Sequence, residues 1–173
     1  MSFIEKRQSS QQNFFENVNN RPEFDDPKTA LLLIKPQDSI EKTHQIEIIL
    51  NDLIESQSLR IIDRIERVLS VEEVSAINPR VFGETVVADN QDQASEKFKR
   101  ELIDYMTTGI SVVLIVTGEG ARSFSIEQKL YFRKKLSAVI KTHTSYDYAE
   151  YICNFVHVPE YEEYTNNLRI FLG

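Results

Sequence analysis

Hydrophobic positions change period several times along this chain, and each change marks an element. The run TALLLIK at 29–35, ended by Pro36, is short and continuously apolar, which predicts a strand buried on both faces. Asp38 with Glu41 three residues on then suggests a capping box. Ile46, Ile49, Leu50, Leu53 and Ile54 follow at helical spacing, predicting a helix with one face on a sheet. From 59 to 69 charges alternate with β-branched residues, as in Ile61, Asp63, Ile65 and Arg67, so a strand is expected whose inward face stays open. Ser70 with Glu73 opens a short helix that Pro79 closes. A polar loop over 80–95 leads to a helix marked by Phe98, Leu102, Tyr105 and Met106, with Gly109 in the position after its end. ISVVLIVT at 110–117 reads as a second buried strand. Ser125 with Gln128 predicts the start of a helix carrying Ile126, Leu130, Leu136, Val139 and Ile140, followed by a short helical stretch near 146–152 and a last strand at 154–158.

Strand, helix, strand, extra helices, then strand, helix, strand is the split pattern of a ferredoxin-like α+β sandwich. The expected fold is βαββαβ, a four-stranded antiparallel sheet with helices on one face plus extra helices. Residues 29–164 form the expected domain and 165–173 a C-terminal tail. Residues 1–28 are rich in Gln, Asn and Ser and close on Arg21-Pro22 and Asp26-Pro27, so they read as an extended or disordered arm. Phe3, Ile4, Phe14, Phe15 and Phe24 make that arm more apolar than a solvated linker and suit it to anchor on its own domain or on a protein partner, the partner being the expectation.

Charge and composition then remove function classes. Over 173 residues, 27 acidic side chains against 20 basic ones give a net charge of −7, which disfavours phosphate backbones and anionic lipid, so neither nucleic acid nor membrane is an expected partner. The apolar runs fall well short of the roughly 20 residues that span a bilayer. Cys153 is the only cysteine, so no intrachain disulfide forms, and with three histidines no zinc spacing arises; an intracellular, cytoplasmic setting is expected. The amino terminus lacks a signal-peptide apolar block, and Glu5 and Glu16 argue against a mitochondrial presequence. There is no P-loop, and Gly118-Glu119-Gly120 lacks the third glycine of a dinucleotide fingerprint, leaving a tight strand-to-helix turn. His44 and His157 read as structural. Lys129, Arg133, Lys134, Lys135 and Lys141 form a basic ridge on one helix and the loop after it, a solvated face or a dock for an acidic surface.

Several segments, taken as letters, resemble nucleoside diphosphate kinases in the same order: TALLLIKP at 29–36, IEIIL at 46–50, LIDYMTTGISVVLIVTGEGA at 102–121 and AEYICNFVHVPE at 149–160. The resemblance implies the ferredoxin-like fold again and, for active members, phosphoryl transfer between nucleotides through a phosphohistidine, with Mg²⁺ and ATP as the cofactor and donor. It implies that Lys35 contacts nucleotide phosphate and makes His143 the candidate nucleophile. Around His143, Ile140 replaces an asparagine and Thr144 a glycine, while an ungapped match from Ala149 puts Lys141 in the catalytic place instead. The phosphate-binding segment that the family carries between Gly120 and His143 is missing here, and Phe82-Gly83-Glu84-Thr85 resembles it only out of order. Losing one charge-stabilising arginine at such a site can cost about 10³- to 10⁵-fold in rate. The expectation is therefore a catalytically degenerate kinase-like module acting as a protein-interaction or structural component, with an active kinase as the alternative. No cofactor is certain; homo-oligomers and a place in a ciliary or flagellar assembly are expectations by analogy with the family.

Overall fold

A computed structural model describes residues 28–83, 96–140, 146–153, 155–159 and 163–172. In chain order the elements are β1 (Thr29–Ile34), α1 (Ile40–Ser56), β2 (Arg60–Val68), α2 (Val71–Ile77), α3 (Pro79–Phe82), α4 (Glu96–Thr107), β3 (Ile110–Thr117), α5 (Ala121–Ile140), α6 (Ala149–Ile152), β4 (Val156–His157) and α7 (Tyr164–Leu172). The strands form one antiparallel sheet in the order β2-β3-β1-β4, the ferredoxin-like arrangement. Both continuously apolar runs take its centre. Every residue of β1 is buried, as are Ser111 to Val116 of β3; since successive strand side chains face opposite ways, the middle of the sheet is covered on both sides. No helix among the described residues is long and apolar enough to cross a membrane.

The ambiguous strand has a physical reason for its ambiguity. β2 slips register against β3 between Ile61 and Asp63, so the residues before and after the slip do not share one alternation. Ile61 and Ile65 pack on the core, while Ile62 at the slip is 47% exposed.

Local signals were partly displaced. Ser39, not Asp38, caps α1, its side chain accepting from the Lys42 amide, and Asp38 pairs instead with the Lys42 amine at 2.5 Å. The Ser70–Glu73 capping box is present in full. Ser125 does not begin a helix: α5 starts at Ala121, and the Ser125 hydroxyl bonds back to the Arg122 carbonyl at 2.7 Å. Gly109 is required for space rather than for a left-handed turn, because a Cβ there would sit 2.9 Å from Pro36 Cβ.

Two further expectations change. The C-terminal tail expected from 165 is the helix α7, with Tyr164, Leu168 and Phe171 buried in the core and Asn166 Nδ2 donating to the Ala76 carbonyl of α2 at 3.3 Å. Its Asn166-Asn167 pair disguised the spacing of these apolar residues. Among the described residues the last strand spans Val156 and His157, which pair with Ile34 and Leu33 of β1, against an expectation of 154–158 in which 154 lies outside the described residues. The arm over 1–28 lies outside the described residues except for Lys28.

Gly118 shapes the turn from β3 into α5. Its φ is +142°, its amide donates to the Lys28 carbonyl at 2.8 Å, and a Cβ would meet Leu59 Cδ2 at 2.6 Å. The leucine end can turn aside, but the backbone cannot. Gly118→Ala is expected to cost about 1 to 2 kcal/mol, read as a lower urea midpoint at unchanged slope.

Candidate functional site

Lys35 follows β1 directly. Its amide donates to the Phe155 carbonyl at 2.9 Å, which extends the pairing of β1 with the last strand by one step. The side chain then turns inward and is only 4% exposed. Its Nζ donates to the carbonyl of Ile152 at 2.9 Å, at the C-terminal end of α6, where helix carbonyls have no partner within the helix. Burial pushes the amine down to about 7; the Cys153 thiol opposes this, while Arg133 and Lys129 add to it.

The groups around that amine come from three elements. Cys153, just after α6, is a buried free thiol pushed up to about 11 by its own desolvation, with the Lys35 amine pulling the other way. His157 of β4 is pushed down to about 3, first by burial and then by the charges of Lys35 and Lys129. Its Nε2 is buried with no hydrogen-bond partner among the described residues. Tyr105 of α4 has its phenol raised by burial, and Gln37 Nε2 donates to its Oη at 3.4 Å and to the Lys35 carbonyl at 2.9 Å. The Tyr146 ring meets the Tyr105 ring edge to face, 6.2 Å between centroids, and its hydroxyl donates to Asp104 at 2.5 Å. Burial and that carboxylate push Tyr146 up to about 12. Glu101 of α4 accepts from the amides of Asp147 and Tyr148, fastening the entrance of α6 to α4.

This set excludes water around a nitrogen that can be neutral near pH 7. An amine placed to meet a phosphate has to present its charge to the ligand; this one faces a main-chain carbonyl. Amine, thiol, imidazole and phenol are also a poor donor set for Mg²⁺, which prefers carboxylate, phosphate and water oxygens. His143 and the alternative Lys141 lie outside the described residues. Arg133 of α5 acts on Lys35 electrostatically. Arg122 instead stacks over the Tyr164 ring at 4.5 Å, with Nε donating to the Thr29 carbonyl at 3.4 Å. It therefore stands at the opposite end of β1, roughly 20 Å along the strand. Sequence reasoning missed the placement of Cys153 and His157 beside Lys35; the only signal was that Cys153 shortly precedes, and His157 belongs to, the short segment that pairs with the end of β1.

Two other features have some of the makings of a site. His44, Glu47 and Glu66 bring one ligand atom each within 4.8 Å of one another. Arg64 already lies among them, its Nη2 donating to Glu47 Oε2 at 2.8 Å and to Glu66 Oε1 at 2.6 Å, so the carboxylates are compensated without a metal. A cleft of about 60 Å³ opens where Ala30, Leu31, Arg122 and Ile126 meet. Pockets that enclose whole small-molecule ligands run to roughly 300 Å³ or more, so this one cannot take a nucleotide.

Solved nucleoside diphosphate kinases share this architecture. The enzyme from Encephalitozoon cuniculi superposes with a TM-score of 0.55 at 16% identity, over 84% of this chain and 89% of its own. That from Aquifex aeolicus gives 0.53 at 15%, over 83% and 93%. The halophilic enzyme from Halobacterium salinarum, solved in complex with CDP, gives 0.50 at 13%, over 83% and 86%. No model of a protein family matches the sequence, and no curated protein matches it. The chain has the nucleoside diphosphate kinase fold; at such identities the likeness speaks for the fold alone.

Proposed function

We propose that this chain is a kinase-like module without phosphoryl-transfer activity, working as a protein-interaction or structural component. The observation that carries this reading is the Lys35 amine, 4% exposed and committed to the Ile152 carbonyl, where a phosphate-binding lysine would need an open face. A cation held in this way offers little differential stabilisation to a transferring phosphoryl group. The chemistry left on the chain is that of contact: an arm bearing Phe3, Ile4, Phe14 and Phe15 joined directly to a rigid sheet. Protein partners held through the arm are the proposed cargo, and an assembly of the ciliary or flagellar kind is the proposed setting by analogy with divergent kinase-like chains.

Incubation of the full chain with γ-labelled ATP and Mg²⁺ tests this reading. The expected result is no acid-labile, base-stable label above background. Near-stoichiometric label that disappears in His143→Gln would establish the active kinase instead, with His143 as nucleophile and Lys35 reoriented toward phosphate.

A further inference from the structure

The other end of β1 carries a feature that the kinase-like reading does not use. The chain enters β1 at Lys28, whose carbonyl accepts from Gly118 and whose amine pairs with Glu119 at 3.3 Å. The arm therefore starts beside the N-terminal end of α5. On that helix Ile126 and Leu130, one turn apart, are 53% and 50% exposed, and Ile126 also lines the cleft formed with Ala30, Leu31, Val158 and Pro159. Arg122 lies one turn before them and Arg133 nearly one turn after, so helix geometry gathers the four into one stripe, apolar in the middle and cationic at both ends. Phe124, Ser125 and Phe132 already fill the face of α5 that meets the core, leaving Ile126 and Leu130 of this stripe exposed as a second apolar face among the described residues.

Immediately before Lys28 the sequence reads Glu23-Phe24-Asp25-Asp26-Pro27, one aromatic ring flanked by three carboxylates. Phe24 is four residues from Lys28, a reach of roughly 13 Å when extended, while Ile126 stands roughly 8 Å along the helix from its start at Ala121. The ring can reach the stripe without the rest of the arm. We propose that residues 23–26 dock in cis on the Arg122–Ile126–Leu130–Arg133 stripe, with Phe24 on Ile126 at the mouth of the cleft and the carboxylates toward the arginines. Pro27 limits the freedom of the connection. Phe14 and Phe15 are then presented to other molecules from a fixed point on the domain.

A double-mutant cycle on the full chain tests this. Phe24→Ala and Ile126→Ala are each expected to lower the folding equilibrium constant about tenfold, and the double variant no further than either alone. Ile126 is exposed, so its truncation should leave the domain folded. Phe24→Ala should also shift the amide resonances of Arg122, Ile126 and Leu130. Additive or negligible losses with unmoved resonances would overturn the proposal. A coupling that grows with protein concentration, alongside a dimer in sedimentation, would overturn it too, assigning the stripe to the arm of a second copy.

Discussion

Lys35→Met is expected to make the folded chain more stable. The amine is held near 7 against an ordinary value of 10.5, chiefly because burial disfavours its charge. Between those two values the unfolded chain keeps a proton that the folded chain has released, so stability rises with pH across that window. Below about pH 7 the full penalty of the buried charge is present; above the ordinary lysine value it is gone. A shift of this size corresponds to about 3 to 5 kcal/mol. Methionine keeps the aliphatic stem but leaves the Ile152 carbonyl without its donor, at about 1 to 3 kcal/mol. The net gain at pH 6 should be about 1 to 3 kcal/mol, or roughly 2 to 12 °C in Tm. Urea unfolding from pH 6 to 10 checks both parts: the midpoint should rise at pH 6, and the alkaline slope of the parent should flatten. His157 acts on the acid side with the same sign, because its folded form resists protonation between 6.5 and about 3, so stability falls as pH drops through that range. That slope should weaken but persist in Lys35→Met, because burial is the larger cause of the His157 shift and the lysine charge the second. A parent whose stability is flat from pH 7 to 10 would mean that the amine is solvated, and it would remove the ground for calling the site inactive.

Arg64→Leu should be the most costly single change on the opposite sheet edge, at about 2 to 3 kcal/mol. Glu47, on the inner face of α1, is only 7% exposed, and both of its oxygens accept from Arg64 of β2. Removing the guanidinium leaves that carboxylate in a poor dielectric without a counter-charge. The arginine side chain is itself 40% exposed, so water recovers part of the loss and the figure stays below that of a fully enclosed pair. Adding Glu47→Leu should restore most of the stability, because two apolar groups of similar volume need no partner. Urea midpoints of the two single variants and the double supply the coupling. Equal losses in Arg64→Leu and in the double variant would show that packing, not charge, ties α1 to β2.

The sheet was readable in the sequence wherever burial was complete. β1 and β3 are buried on both faces, so neither needs an alternation to be recognised. Reading failed where a neighbour distant in sequence decides. Gly109 looks like a helix terminator, but Pro36 sets its need for space. Ile126 and Leu130 have the spacing of a core face, yet Phe124, Ser125 and Phe132 take that role one step round the helix. The tail was missed because two asparagines interrupt its apolar residues. Lys35 itself was legible as a residue in a place, but not as a buried amine, since its acceptor stands 117 residues further on. The same holds for Cys153 and His157, whose meeting with Lys35 depends on where the last strand lands. The likeness to known kinases carried the fold correctly and says nothing of that inward turn.

The two-residue length of β4 bears on how the chain comes to fold. β1, β2 and β3, with α1 between the first two, are complete once synthesis has passed Thr117, whereas Val156 and His157 can reach Ile34 and Leu33 only once synthesis has passed His157. Closing so long a loop is slow, and a two-residue strand returns little for it until α6 and α7 have also settled on the core. During synthesis the Lys35 amine therefore stays in water, fully protonated, and gives up its hydration in the last step of assembly. The order of events places the step that most depends on solution pH at the end of folding, when the rest of the sheet is already in place.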